Sequence, residues 1–122
     1  MKNFIHGNAS IITINRGDSV YFPLFINAGD EVFPIRYRLQ EGDTLYFGIM
    51  EPNRYWEQSI VKKIFTNESE MTCCGDVIIH LTPEDTEYLI PGTYYYMIKL
   101  LRQDGDSYDV TTIVDKTLFY IV

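Results

Sequence analysis

The 122-residue chain is poor in the side chains that catalysis and metal binding usually draw on. Its only histidines are His6 and His80, far apart in sequence, and its only cysteines are the adjacent Cys73 and Cys74. Neighbouring cysteines close a disulfide only under strain, so two ordinary thiols at a turn are expected. No CxxC or HxxxH spacing exists, and no metal centre is expected. Basic residues are also few: 10 Lys and Arg stand against 17 Asp and Glu, a net charge of -7. A nucleic-acid binder needs a basic stripe to displace counterions from phosphate. The densest basic spots here are Arg36/Arg38 and Lys62–Lys63, which excludes nucleic acid and disfavours anionic membrane surfaces. No apolar run approaches the ~20 residues of a membrane helix. The first residues, "MKNFIHGNASIITIN", hold one Lys and no adequate apolar stretch for a signal peptide. Synthesis in the cytoplasm is therefore expected.

What the chain does have is strand-forming material. It is 46% hydrophobic and 15% aromatic, with ten Tyr and seven Phe, a composition that excludes disorder and favours β-structure. The length fits one domain, residues 1–122, that can bury a real core without staples. Gly-Asp occurs five times, at 17–18, 29–30, 42–43, 75–76 and 105–106, each time just ahead of a run rich in β-formers. Glycine supplies the positive φ of a tight turn, and the following carboxylate can accept nearby backbone N–H groups. The tetrapeptide Arg16-Gly17-Asp18-Ser19, which animal adhesion receptors read in other proteins, is on this reasoning a turn between "SIITIN" and "SVYFPLF".

Period-two alternation then marks the strands. Ser10–Asn15 and Ser19–Ile26 are expected to form a hairpin, with Val20, Phe22 and Leu24 on one face. Val32–Leu39 carries Ile35, Tyr37 and Leu39 opposite Arg36 and Arg38, and Pro34 demotes it to an edge strand or an irregular passage. Thr44–Met50 turns Leu45, Phe47 and Ile49 inward. In Ser59–Thr66 two registers compete: Ile60, Lys62 and Ile64, or Val61, Lys63 and Phe65. Asp76–Thr82 points Val77, Ile79 and Leu81 inward and His80 outward. One short helical turn follows near 83–89, with Thr82 as N-cap, Pro83 at the first position and acids in the first turn. Pro91-Gly92 ends it. Thr93–Arg102 is the longest strand, with Tyr94, Tyr96, Ile98 and Leu100 facing one way. Asp104-Gly105 is a strong hairpin signal. Ser107–Val114, a turn at Asp115-Lys116 and Thr117–Val122 close the chain. "TNESEMTCCG" is the most polar stretch and is expected to be an exposed loop. The fold class is an all-β antiparallel sandwich of about seven to nine strands.

The passage "LTPEDTEYLIPGTYYYMIKL" resembles the E-to-F passage of immunoglobulin-like domains. That likeness implies a tyrosine corner in which the Tyr94 hydroxyl ties to nearby backbone. The antibody-type cysteine is missing, since Tyr96 and Ile98 occupy its region.

Candidate chemistry is sparse. Acid pairs such as Glu84/Asp85/Glu87 and Asp104/Asp106 would suit glycoside hydrolysis only if held across a groove, and all of them fall in turns or a helix start. "DGDSYD", residues 104–109, alternates acids but lacks the closing Glu of a calcium loop. No catalytic, cofactor-binding or metal-binding residues are assigned. Trp56, the sole tryptophan, lies beside Tyr55 and Arg54 in a loop, where it either folds back to cap one end of the sandwich or, if exposed, serves with Tyr55 as an interface anchor or a sugar platform. The outward Tyr95 and Met97, with Ile78 and Ile113 expected beside them, suggest a patch that meets another chain. Tyr55, Trp56, Tyr95 and Met97 are thus the expected interaction surface.

Taken whole, "INRGDSVYFPL", "LQEGDTLYFGIMEP", "GDVIIHLTPEDTEYLIPGTYYYMIKL" and the terminal "TLFYIV" resemble short prophage-encoded proteins of Gram-positive bacteria. These are similar to the N-terminal β-sandwich domain of phage upper-baseplate proteins, the BppU-like family. The resemblance implies a non-enzymatic structural module of a tail or baseplate. Its partners would be other phage structural proteins and further copies of itself, and its destination the virion. The alternative from the residues is a carbohydrate-binding sandwich that uses exposed aromatics.

Overall fold

The computed structural model describes residues 4–7, 10–29, 34–72 and 75–122. Cys73 and Cys74, and Asp30 of the second Gly-Asp pair, lie outside the described residues. The described residues form ten strands, more than the seven to nine expected, and one short helix. In chain order the strands are β1 (Phe4–Gly7), β2 (Ile12–Ile14), β3 (Val20–Leu24), β4 (Ile26–Gly29), β5 (Pro34–Tyr37), β6 (Thr44–Met50), β7 (Val61–Phe65), β8 (Val77–Leu81), β9 (Gly92–Asp104) and β10 (Ser107–Ile121); helix α1 (Pro83–Thr86) joins β8 to β9. No helix among the described residues is long and apolar enough to cross a membrane.

A five-stranded sheet ordered β2-β10-β9-β6-β7 forms one layer. The β3–β8 pair faces it, and β1-β4-β5 continues that second layer beyond Phe25. All pairings are antiparallel except β2 with β10, where Ile12 to Ile14 run alongside Phe119 to Ile121. This is an immunoglobulin-like sandwich. The inward registers expected on β6, β8 and β9 are all in place. Leu45, Phe47, Ile49, Val77, Ile79, Leu81, Tyr94, Tyr96, Ile98 and Leu100 are buried in one core. On β7 the ambiguity resolves: Val61 and Phe65 are buried, while Ile60 and Ile64 are exposed. Phe22 bridges the layers, its ring edge-on to both Phe47 and Tyr96.

The turn chemistry accounts for the corners. Gly17, Gly42, Gly75 and Gly105 all adopt positive φ, a region that costs glycine little. The Arg16-Gly17-Asp18 segment is a turn closed by the Asp18 N–H on the Asn15 carbonyl. It is pinned by the Arg16 N–H on the Val122 carbonyl and the Gly17 N–H on Thr86 Oγ1. Helix α1 starts as the sequence requires. The Asp85 carboxylate accepts the Thr82 N–H at 2.7 Å and meets Lys63 Nζ at 3.1 Å. Burial pushes the Asp85 carboxyl up, but these two donors outweigh it and hold the group below its ordinary value. The tyrosine corner is present: the Tyr94 hydroxyl donates to the Ile90 carbonyl at 2.6 Å.

Four expectations differ from the structure. The longest strand is β10, with 15 residues, and not β9, with 13. Ser10–Asn15 and Ser19–Ile26 do not form a hairpin; β2 joins β10 and β3 joins β8, so the Gly17 turn carries the chain from one sheet to the other. Ser19–Ile26 is also not one strand, because it breaks at Phe25 into β3 and β4. Asp115-Lys116 is not a hairpin turn. β10 runs through it, and the register against β9 shifts between Thr112 and Val114 and again between Val114 and Thr117. The extra residues are absorbed as a bulge, which bends a strand without ending it. The edge assignment from Pro34 holds, since β5 pairs with β4 alone. Pro23 on β3 obeys the same rule. A proline has no N–H to give β8, so its nitrogen faces the other, unpaired edge.

Candidate interaction surfaces

Trp56 opens a single 3-10 turn, Trp56–Gln58, held by Gln58 Oε1 accepting the Tyr55 N–H at 3.0 Å and by the Ser59 hydroxyl donating to the Trp56 carbonyl at 2.6 Å. This turn folds the indole back over Gly48 on β6. A Cβ built on Gly48 would come within 2.7 Å of the ring, so the missing side chain is what admits it. Lys99 Nζ stands 5.2 Å from the ring centroid, within cation–π range. Trp56 is half-buried, whereas Tyr55 beside it is 72% exposed.

Met97 pairs with Gly48, and Tyr95 with Met50, across β9 and β6. Both therefore lie on the outer face of the five-stranded sheet, close to where Trp56 settles. Met97 is buried and Tyr95 half-buried. The two aliphatic neighbours expected for them are elsewhere: Ile113 belongs to the core, and Ile78 sits on the opposite layer. His80, outward as expected, stacks on Tyr21 with centroids 4.0 Å apart. Glu84 is exposed in α1, and Asp85 of the same acid cluster is occupied by its cap and by Lys63. Among the described residues no group of three or more His, Cys, Asp or Glu is placed to hold a metal ion.

The sandwich is open along one flank. A groove of roughly 400 Å³ runs between β2 and β3, lined by Ile11, Ile12, Val20, Phe22, Pro23 and Phe25 with Tyr96 at its base. Ile11 is 63% exposed. Val20 and Phe22, inward by register, are only half-buried because the layers part here. An adjoining cleft shares Val20 and Thr13 and reaches Val122, which is also exposed. The other lining residues of that cleft include Asn15, Asp18 and Ser19, so the apolar strip is confined to the groove between β2 and β3. Neither bordering strand has a partner on this side among the described residues. The available signal was the triple Phe22-Pro23-Phe25: a proline within an apolar run marks a free edge.

At the hairpin end a second cleft, roughly 260 Å³, opens between the β5–β6 corner and the tips of β9 and β10. Its floor is Asp43, 6% exposed, which accepts the Gln40 N–H at 3.0 Å and the Tyr37 hydroxyl. Burial, then the neighbouring Asp43 carboxylate, push the Tyr37 phenol up to about 12.

No protein-family profile and no curated protein matches the chain. Among solved structures it is similar to the major subunit of aggregative adherence fimbriae type I from Escherichia coli, at 8% identity and a TM-score of 0.35, covering 98% of this chain and 94% of that one. That likeness is too slight to bear on fold or function.

Proposed function

We propose that the chain is a non-enzymatic assembly module of a phage tail or baseplate, made in the cytoplasm and carried into the virion. The observation that supports this reading best is the apolar flank between β2 and β3. Exposed apolar side chains continuous over a groove are what a protein–protein contact leaves uncovered in the free chain. The sequence resemblance to upper-baseplate domains supplies the setting, and its proposed partners are other phage structural chains and further copies of this one. Tyr55, the most exposed member of the aromatic cluster, is a secondary contact in this scheme.

Light scattering after size exclusion, together with co-expression beside the products of adjacent genes, tests the reading. The expected result is a self-assembled species or a recovered tail partner, and its loss in an Ile11→Asp, Phe25→Asp double variant. Ile11 is 63% exposed, and Phe25 is 37% exposed beneath the Arg36 guanidinium, so circular dichroism checks that the variant is folded and the single Ile11→Asp change serves where the double one is not. A strict monomer at high concentration that recovers no tail partner would overturn the proposal.

A further inference from the structure

The outward face of the five-stranded sheet carries a patch whose members follow from strand register, because cross-strand partners point to the same side. Ile64, Tyr46, Lys99 and Thr112 form one row across β7, β6, β9 and β10. Thr44, Leu101 and Val110 form the row on one side of it. In the row on the other side, Lys62 stands opposite Gly48, over which Trp56 lies. Ile64 is 64% and Val110 53% exposed, so the patch is open.

Its charge is unlike that of the rest of the chain. The chain has 17 Asp and Glu, yet none holds an outward position on β6, β7, β9 or residues 108–112 of β10. The charged side chains there are Lys62 and Lys99, and neither is in an ion pair among the described residues. An apolar face with lysines and no acids suits a partner that offers apolar side chains among acids.

The chain itself presents such a surface at the corner from α1 into β9. Tyr88 and Ile90, at 85% and 76%, are the two most exposed large hydrophobic side chains among the described residues. Glu84 and Glu87 beside them are exposed as well. Asp85 of this corner pairs with Lys63, which shares the inward register of Val61 and Phe65. That ion pair holds the corner on the inner side of β7, whereas the patch points outward. Corner and patch of one chain face apart, so their meeting requires two copies. Symmetric pairing is disfavoured, because patch on patch brings lysines together and corner on corner brings glutamates together. Corner on patch brings opposite charges together.

We propose that the corner of one copy docks on the outer sheet face of the next, with Glu84 and Glu87 meeting Lys62 and Lys99, and with Tyr88 and Ile90 covering Ile64, Tyr46 and Leu101. The inference rests on the assembly reading and deepens it, since it names a second copy as the occupant of a surface that shares no residue with the apolar groove. The contact is head-to-tail. Each copy keeps one free corner or patch for the next, so the contact propagates into a ring or a filament.

Photocrosslinking of the whole chain tests the proposal. Chains carrying Tyr88→p-benzoylphenylalanine are mixed with heavy-isotope-labelled chains and irradiated, and the joined peptides are mapped by mass spectrometry. Crosslinks to labelled peptides within residues 62–64 or 99–110 are expected. They should be lost when the photoreactive chain carries Glu84→Lys and Glu87→Lys, and lost when the labelled chain carries Lys62→Glu and Lys99→Glu. Mixing the two reversed chains should restore them, which a folding defect in either would not allow. Absent crosslinks, crosslinks that map elsewhere on the second copy, or crosslinks that survive both reversals overturn the proposal. So does a Tyr88 crosslink that goes to the product of an adjacent gene, on co-expression, in place of a second copy. Ile11→Asp should leave the crosslink in place, while light scattering of that variant reports on the groove. A self-assembled species that Ile11→Asp abolishes and that never gives the crosslink would leave the assembly reading standing and overturn this one.

Discussion

Two tyrosines show how single hydroxyls are used at opposite ends of the sandwich. Tyr94 closes the corner into β9 by donating to the Ile90 carbonyl. Tyr94→Phe removes that bond and leaves the ring in place. Since Ile90 is exposed, water can replace the lost donor, and urea unfolding should show a loss of about 1 kcal/mol. Tyr37 faces the Asp43 carboxylate, and its phenol is raised to about 12 from an ordinary 10.0. Above pH 10 the unfolded chain gives up this proton while the folded chain keeps it. The unfolded state then binds fewer protons, so stability falls as pH rises. The contribution is fully present below pH 10 and is lost between about pH 10 and 12. Urea midpoints measured across that window should decline, and Tyr37→Phe should decline less steeply. An equal slope in the two proteins would show that Tyr37 is not the group responsible.

At the scale of elements, local rules read from the sequence held wherever one residue type had one physical option. Of the five glycines of the Gly-Asp pairs, Gly17, Gly42, Gly75 and Gly105 supply positive φ at corners, whereas Gly29 is the last residue of β4. Thr82-Pro83 could start a helix and little else, and α1 begins there. Alternation on β6, β8 and β9 fixed which side chains enter the core, since a one-residue slip would expose the whole set. Pairing partners were not legible in the same way. The turn at Gly17 is compatible with a hairpin or with a crossing between layers, and only the distant β10 and β8 decide between them. Whether Trp56 is exposed or folds back was open for a related reason: the loop "EPNRYWEQS" says nothing of what lies beneath it. Gly48 was the missed clue, a glycine inside a strand of otherwise bulky residues. It can be tested directly. Gly48→Ala places a methyl 2.7 Å from both Trp56 and the Ser59 hydroxyl. The indole must move outward, at a cost of about 1–3 kcal/mol. Trp56 is the only tryptophan, so its fluorescence should shift to the red without interference from another indole. An unshifted spectrum would mean that the ring does not rest on Gly48.

For the molecule as a whole, the decisive connection joins segments near the two ends of the described chain. β2 leaves the layer of β1 and adds to β10 in parallel, and the crossing is clamped by one buried side chain. The Tyr96 hydroxyl donates to the Ser10 carbonyl at 2.7 Å and accepts the Ser10 N–H at 3.2 Å. Burial raises the Tyr96 phenol, which keeps it a neutral donor through neutral pH. The clamp sits at the base of the apolar flank, where the two layers part. It therefore sets how far β2 stands from β3, and with it the width of the groove that the assembly proposal requires. Tyr96→Phe retains the ring packing against Phe47 and Phe119 but releases Ser10. Ser10 is exposed and can turn to water, so the global loss should be small, about 1–2 kcal/mol. The local effect should be larger. Hydrogen exchange at Ile12–Ile14 should accelerate well before exchange in β6 and β9, because β2 is a three-residue edge strand that would then rely on β10 alone. If assembly depends on the flank, the same variant should assemble less well at unchanged secondary structure. Uniform acceleration across all strands would instead mark Tyr96 as a general core residue and separate the groove from the clamp.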